Sequence, residues 1–175
     1  MGFLLWHGLR DSALRHPDRP AVEWRKESLS YRELDESSDA IAATLAAAGI
    51  GPGHRVGLYT LKNHRSVAAI LGISKAGVAY VPIDPHAPPA RAAYILGDCA
   101  VSAVVATADR LASLASHRAE LPSLALALVS DAAKGPESFV RMCGWDELES
   151  GDGRVRGAAV ETDPAYLLYL SLIHI

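Results

Sequence analysis

The sequence predicts an α/β fold built around a parallel sheet. Between residues 31 and 129, segments with helical periodicity alternate with short apolar segments that favour strands, and this alternation is typical of a parallel sheet covered by helices. Residues 101–106 are predicted as an apolar strand of the kind that is buried on both faces. A chain of 175 residues of which 50% are hydrophobic is long enough for one domain with a substantial core.

In the first part of the chain, the sequence predicts a helix, a strand and a second helix. A short helix is expected over residues 3–16, because the prolines that follow cannot continue a helical ladder, and residues 21–24 favour a strand. Ser30 and Glu33 match a capping box, in which the two side chains satisfy the first free amides of a helix. This helix is expected to bury an apolar face formed by Tyr31, Leu34, Ile41 and Leu45, whereas polar positions are assigned to Arg32, Glu33, Asp35, Glu36 and Asp39.

The third predicted helix lies between two predicted strands. Gly49 is placed to end the second helix in a left-handed conformation, and residues 55–60 supply the next strand, with Val56 and Leu58 inward. Asn63 is the expected N-cap of the third helix and Gly77 its end, followed by a strand over residues 78–83. The residues expected to share one face of this helix are Val67, Ile70, Leu71 and Ser74.

The pattern continues and then changes. Pro88 and Pro89 open a predicted fourth helix that runs to Gly97, and a further helix over 111–119 and a strand over 124–129 are expected. Residues 131–164 are rich in Gly, Asp, Glu and Pro and predict an irregular excursion, in which only residues 144–148 suggest a turn or short helix. Residues 165–169 are again strand-like.

Composition and motifs exclude several functional classes. A net charge of −3 gives no basic surface for a nucleic acid. Two cysteines are too few for a disulfide framework and suit a reducing compartment. The seven histidines show no pairing typical of a zinc site. We find no export signal and no apolar stretch of bilayer-spanning length, so the sequence predicts a soluble, cytoplasmic protein without a membrane partner.

Local motifs that suggest chemistry have simpler structural interpretations. Residues 49–53 look like a glycine-rich nucleotide loop, but the loop follows a helix and precedes a strand, which is the reverse of the order that presents helix amides to phosphate. Lys75 falls in the last turn of its helix, where a cation is favoured by the helix dipole, and Asp84 is suited to ordering a turn. We therefore assign no catalytic residue and no metal ligand.

Two segments resemble the first two core motifs of the AMP-forming ligases, the superfamily of acyl-CoA synthetases, nonribosomal peptide synthetase adenylation domains and luciferase-like enzymes. They are Leu-Ser-Tyr-Arg-Glu-Leu over residues 29–34 and Ser-Lys-Ala-Gly-Val-Ala-Tyr-Val-Pro-Ile-Asp-Pro over residues 74–85. The resemblance covers most of residues 3–170 and implies the N-terminal, parallel-sheet subdomain of the adenylate-forming fold, truncated. It assigns scaffold roles to Ser30, Tyr31, Glu33, Leu34, Lys75, Ala76, Gly77, Tyr80, Pro82 and Asp84.

The resemblance also implies the chemistry of the intact parent. Such ligases use ATP and Mg²⁺ to convert a carboxylic or amino acid into an acyl-adenylate, and they transfer the acyl group to a thiol of CoA or of phosphopantetheine on a carrier protein. The sequence of the second motif slightly favours amino-acid-activating or related acyl-activating members. A natural, non-catalytic α/β binding or interaction module is the alternative.

The resemblance ends at the place where the family has its ATP phosphate loop. Tyr169 and Ser171 mark where that glycine-, serine- and threonine-rich loop would begin, but residues 170–175 read Leu-Ser-Leu-Ile-His-Ile. Bulky aliphatic side chains prevent the close backbone approach that a phosphate needs, so this fragment, residues 1–169 of a partial subdomain, is expected to bind no cofactor and to be inactive. One translation of a transposase end used in sequencing libraries reads the same six residues, and we expect 170–175 to be non-native.

Overall fold

A computed structural model describes residues 4–131, 139–149 and 160–169 of the chain. Within these residues the helices are α1 (His7–Arg15), α2 (Tyr31–Ala47), α3 (His64–Lys75), α4 (Pro89–Asp98), α5 (Ala108–Ser113) and α6 (Trp145–Glu149), with one 3₁₀ helix, Ala115–Glu120. The strands are β1 (Pro20–Trp24), β2 (Glu27–Ser30), β3 (Arg55–Tyr59), β4 (Ala79–Pro82), β5 (Ala103–Ala106), β6 (Leu126–Val129) and β7 (Arg141–Gly144).

Five strands form one parallel sheet in the order β4-β3-β5-β6-β7. The register aligns Val56 of β3 with Tyr80 of β4 on one side and with Ala103 of β5 on the other. The chain passes from β3 outward to β4 and then crosses back to β5, so its direction of travel reverses between β3 and β5. The predicted parallel α/β fold is therefore confirmed.

Both faces of the sheet are covered, because successive side chains of a strand point to opposite faces. Val56 and Leu58 pack with Ile41, Leu45 and Ile73 of α2 and α3. Tyr59 and Val104 pack on the other face with Leu96 of α4. Leu96 also explains Gly57, since a Cβ atom there would lie 2.3 Å from Leu96 Cδ2.

Three helices end in the same way before a strand. In α2 the amide of Ile50 donates to Leu45 O at 2.9 Å and that of Gly49 to Ala46 O at 2.9 Å, which is the Schellman arrangement with Gly49 at φ 75°. Gly77 ends α3 at φ 71°, as the sequence predicts. At the end of α4 the left-handed residue is Ala100, at φ 46°, rather than a glycine.

The structure corrects four sequence-based predictions. Residues 27–30, assigned to no element, form β2 and pair with β1 in an antiparallel hairpin. The excursion predicted over 131–164 is ordered at β7, which extends the sheet beside β6, and at α6, where a short helix was suggested. The helix predicted over 111–119 is α5 followed by a 3₁₀ turn. Residues 165–169 make only one isolated bridge, Tyr80 with Tyr166.

The fully buried face of α3 lies beside the face formed by the residues named from the sequence. Val67, Ile70, Leu71 and Ser74 are only partly buried, and the fully buried positions are Ala68, Ala69, Gly72, Ile73 and Lys75. Small side chains occupy this face because α3 approaches α2 closely. A Cβ atom on Gly72 would lie 2.6 Å from Ile41 Cβ and 2.8 Å from the backbone oxygen of Ser38.

Candidate functional site

The two motif segments meet at a buried ion cluster centred on Lys75, which is 1% exposed. Its Nζ donates to Asp35 Oδ1 at 2.6 Å, to Asp39 Oδ1 at 2.7 Å and to Asp35 O at 2.9 Å. All three donors of the ammonium group are thereby used. Asp35 directly follows the first motif and Lys75 belongs to the second, so this contact joins the two motifs across 40 residues of sequence.

Arg10 of α1 completes the cluster. Its Nη2 lies 2.8 Å from both Asp39 Oδ1 and Asp39 Oδ2, and its Nε lies 3.7 Å from Asp35 Oδ2. Two cations thus face two carboxylates. Because removing charged groups from water is costly unless they are paired and hydrogen-bonded, this balance permits Lys75 and Asp39 to be buried between helices. We refer to Arg10, Asp35, Asp39 and Lys75 as the four-charge cluster.

The first motif begins helix α2 as the sequence predicts. Ser30 Oγ accepts from the Glu33 amide at 3.3 Å, and Glu33 Oε2 accepts from the Ser30 amide at 2.7 Å, which completes the capping box. Hydrogen bonds from the backbone and side chain of Ser30 hold the pKa of Glu33 below its ordinary value. Leu34 is 3% exposed in the core, and Tyr31 packs against the same cluster.

The second motif leads from helix α3 through the edge strand to the carboxyl edge of the sheet. Ala76 caps α3 and is buried, and Gly77 supplies the left-handed turn into β4. Pro82 ends β4 opposite Leu58 of β3. Asp84 is exposed, and its Oδ1 accepts from the His86 amide at 2.8 Å, so the side chain orders the turn that follows β4.

Tyr80 links β4 to the segment of residues 165–169 along the outer edge of the sheet. The Tyr80 amide donates to Ala165 O at 3.2 Å and Tyr80 O accepts from the Leu167 amide at 2.9 Å. The Tyr80 and Tyr166 rings lie 5.5 Å apart between centroids. Burial of the Tyr80 ring, followed by the proximity of Tyr166, raises the pKa of Tyr80.

Tyr169 lies at the end of this edge segment, beside α4. Its ring meets that of Tyr94 edge-on at 6.0 Å between centroids, and a hydrogen bond with the Tyr94 side chain raises the pKa of Tyr169 to about 12. Ser171 and the predicted non-native tail 170–175 lie outside the described residues, as do 132–138 and 150–159 of the predicted excursion.

The reversal between β3 and β5 is where sheets of this class take ligands, in the crevice beyond the carboxyl ends of the strands. In this chain the crevice holds side chains that already bond one another. Thr60 Oγ1 and Ser130 Oγ are 3.3 Å apart, and Arg65 Nη1 donates to Ser130 O at 2.6 Å. Arg110 lies 5.7 Å above the Tyr59 ring and donates to Pro85 O at 3.0 Å.

At two helix N-termini of this edge, α3 and α5, an amide bonds to a neighbouring side chain. The Ser66 amide in the first turn of α3 donates to Asn63 Oδ1 at 2.9 Å, and the Ala108 amide at the start of α5 donates to Asp131 Oδ1 at 2.8 Å. The donors named at this edge are therefore engaged within the protein, whereas an ATP triphosphate needs a set of unoccupied donors.

The described residues show neither a metal-binding cluster nor a membrane-spanning helix. Within 4–131, 139–149 and 160–169, no group of three or more His, Cys, Asp or Glu side chains is placed to hold a metal ion. In the same part of the chain, every helix is too short or too polar to cross a bilayer.

Sequence reasoning missed the partners of Lys75. It assigned Asp35 and Asp39 to the polar face of α2, whereas Asp39 is buried and both carboxylates bind Lys75. A usable signal was present, because Lys75 follows Ala68 and Gly72 at helical spacing. A cation on such a small-residue face needs a carboxylate partner from a neighbouring element.

Comparison with known proteins identifies the relatives of the chain. The profile of a family described as "AMP-binding enzyme" matches residues 9–171. Surfactin synthase subunit 3 from Bacillus subtilis (strain 168) is 34% identical over 167 residues, which cover 95% of this chain and 12% of that protein. The chain therefore spans about an eighth of the length of this relative.

Solved structures show the same fold. A coronafacic acid ligase from Pectobacterium brasiliense, in its R395G mutant form, superposes with a TM-score of 0.84 at 20% identity, covering 95% of this chain and 33% of that chain. The nonribosomal peptide synthetase FmoA3 (S1046A) superposes with a TM-score of 0.73 at 28% identity, covering 98% and 16% respectively.

Proposed function

Because the chain belongs to the AMP-binding enzyme family, we propose that it is the N-terminal part of an ATP-dependent, AMP-forming carboxylate ligase. The observation that carries the proposal is the family match over residues 9–171, supported by a parallel sheet of the same fold as the solved ligases. In the parent, Mg-ATP supplies the electrophilic α-phosphate that a substrate carboxylate attacks, with acyl-adenylate as the product. The acyl group then passes to a thiol.

The proposed substrate of the parent is an amino acid or a related carboxylic acid. The sequence of the second motif resembles that of amino-acid-activating members, and the chain is 34% identical to Surfactin synthase subunit 3 over 167 residues. The proposed acceptor is a phosphopantetheine thiol on a carrier protein, or CoA. The proposed compartment is the cytoplasm, since two free cysteines, Cys99 and Cys143, suit a reducing environment.

The motif residues of this chain are proposed as scaffold rather than as catalytic groups. Ser30 and Glu33 start α2, Leu34 packs in the core, and Lys75 holds α3 against α2. The polar side-chain atoms of Ser30, Glu33 and Lys75 bond to groups of the protein, which favours a structural role over a catalytic one. Residues that bind substrate and nucleotide are then supplied by the rest of the parent.

The 175-residue chain by itself is proposed to bind no Mg-ATP. Two observations support this: side chains at the carboxyl edge bond one another, as Thr60 does with Ser130, and residues 170–175 carry aliphatic side chains where the family has its phosphate loop. Titration calorimetry of the purified chain with Mg-ATP should give no heat of binding. Micromolar affinity would contradict this part of the proposal.

The activity of the parent is tested by restoring the missing part. The gene is continued through its genomic reading frame, and the longer protein is assayed for pyrophosphate exchange into ATP with a panel of amino, aryl and fatty acids. Exchange that depends on one acid class supports the proposal and names the substrate, with the 175-residue chain as the matched negative control. A genomic stop codon at this position, together with cooperative unfolding of the short chain, would instead favour a natural non-catalytic α/β module.

A further inference from the structure

The four-charge cluster ties three helices together at the start of the edge strand. Arg10 comes from α1, Asp35 and Asp39 from α2, and Lys75 from the last turn of α3. We infer that Lys75 is a positioning residue, whose pairing with Asp35 and Asp39 fixes the end of α3, and through it the place of β4 and of the edge segment 165–169.

The first step is that Lys75 has no substitute within the cluster. The Lys75 side chain is 1% exposed, whereas that of Arg10 is 32% exposed. Lys75 Nζ lies within 2.7 Å of one oxygen from each carboxylate, so without it Asp35 and Asp39 are left facing each other with only Arg10 beside them. Two carboxylates that lose a shared cation in a partly buried site repel each other.

The second step is that the end of α3 is rigidly connected to β4. The Gly77 amide donates to Ser74 O and the Val78 amide donates to Ile73 O, both at 3.1 Å, so the turn from Lys75 to Val78 closes on itself. Two residues later, Tyr80 makes both backbone hydrogen bonds that hold Ala165 and Leu167 on the edge of the sheet. A shift at Lys75 therefore reaches the edge segment through one tight turn and one short strand.

Only the consequence for nucleotide binding rests on the proposed function. In a ligase of this family the segment 165–169 would lead into the phosphate loop, so Lys75 would place that loop from a distance without touching nucleotide. The positioning of the edge segment by Lys75 holds or fails independently of any ATP chemistry, and it is measurable in the 175-residue chain.

The test compares Lys75→Met with a control substitution that is expected to lower stability by a similar amount and lies in the core on the other face of the sheet. Leu114→Ala removes a fully buried side chain from the cluster on the other face of the sheet. Both substitutions are of a kind that lowers the melting temperature by on the order of 10 °C in a chain of this size. Amide hydrogen exchange is then followed at Tyr80 and Leu167, with each variant held equally far below its own melting temperature.

The expected result is that exchange at the Tyr80 and Leu167 amides is at least about tenfold faster in Lys75→Met than in Leu114→Ala, because only the first variant releases the turn that holds β4. Equal exchange at these two amides in both variants would show that Lys75 contributes only overall stability, and would overturn the inference.

A variant that also removes both carboxylates separates electrostatic positioning from packing; of the cluster it keeps only the charge of Arg10, whose side chain is 32% exposed. In the triple variant Lys75→Met, Asp35→Asn, Asp39→Asn the uncompensated carboxylates are gone, so we expect at least half of the loss in melting temperature to be recovered and exchange at Tyr80 to slow again. A triple variant no better than Lys75→Met refutes the pairing as the cause. If Lys75→Met does not fold, Asp39→Asn, which keeps the Asp35 contact, must show the same faster exchange at the two amides.

Discussion

Replacing Gly49 by alanine isolates the effect of backbone conformation at a helix end. Gly49 has φ 75°, and a Cβ atom added there would meet nothing within 4 Å, so no steric contact contributes. A left-handed conformation costs an L-residue roughly 1–2 kcal/mol, and the lower entropy of the unfolded alanine chain returns about 0.4–1 kcal/mol. The net expectation is a loss of roughly 1 kcal/mol in the free energy of unfolding.

Gly8→Ala is the matched control, because it makes the same chemical change in equally open space. Gly8 lies in α1 and is not among the glycines with positive φ. Alanine is favoured over glycine in helices by up to ~1 kcal/mol, so near the start of α1 we expect a gain of roughly 0.5 kcal/mol. The same substitution should thus change stability in opposite directions at the two sites.

Urea unfolding followed by far-ultraviolet circular dichroism measures both variants against the parent chain. The midpoints should separate with unchanged m-values, and the melting temperatures should differ by about 3–6 °C, since 1 kcal/mol corresponds to about 2–4 °C for a chain of this size. Shifts of the same sign at Gly49 and Gly8 would refute the argument, because the left-handed turn would then not be the reason for the glycine.

Three further outcomes are expected. Gly97→Ala should lower the free energy of unfolding by about 1–3 kcal/mol in urea unfolding, because the new Cβ would lie 2.3 Å from the backbone oxygen of Glu120, and a shift of less than 0.5 kcal/mol would contradict this. Ser30→Ala should cost about 1 kcal/mol in the same assay through loss of the α2 cap, and a neutral result would show that the capping box is not formed. Finally, the pKa of Glu33 is lowered from its ordinary 4.5, so its contribution to stability is complete above that value and is lost as pH falls through the lower, folded pKa. Glu33→Gln should therefore reduce the dependence of the melting temperature on pH in this acid range. A pH dependence equal to that of the parent chain would show that Glu33 is not its source.

The regular helices and strands could be predicted because their capping residues and apolar patterns agree with the way in which they pack in the fold. The Ser30 cap and Gly49 bound α2 as expected, and the strands β3 and β5 are apolar because both faces of the sheet are covered. The β1–β2 hairpin escaped prediction because its turn contains Arg25, at φ 57°, rather than the Asn-Gly or Gly pair that signals such a turn. Strand β7 was missed because it is short, carries an exposed Arg141 and lies at the edge of the sheet.

The cluster around Lys75 could be predicted only in part, because the burial of a charged residue depends on partners that lie elsewhere in the sequence. Helical spacing places Lys75 on the same face as Ala68 and Gly72, which indicates burial. The cluster forms only because α1 and α2 place Arg10, Asp35 and Asp39 next to Lys75. That convergence depends on the close approach of Ser38 and Gly72, a tertiary contact that no periodicity of a single helix contains.

The edge segment bears most directly on where the phosphate loop of the proposed parent would begin. At the crevice beyond β3 and β5, where sheets of this class take ligands, Thr60 contacts Ser130 and Arg110 lies over Tyr59, so these side chains are engaged with one another. The bridge of Tyr166 with Tyr80 is parallel, so the edge segment runs in the direction of the strands and, by that register, brings Tyr169 level with the end of β4. In the parent that we propose, backbone that continues from Tyr169 would therefore start at the carboxyl edge of the sheet. In the parent that we propose, the position of β4 would set where that backbone begins, so the ion pairs of Lys75 would affect the reaction without contacting the reacting groups.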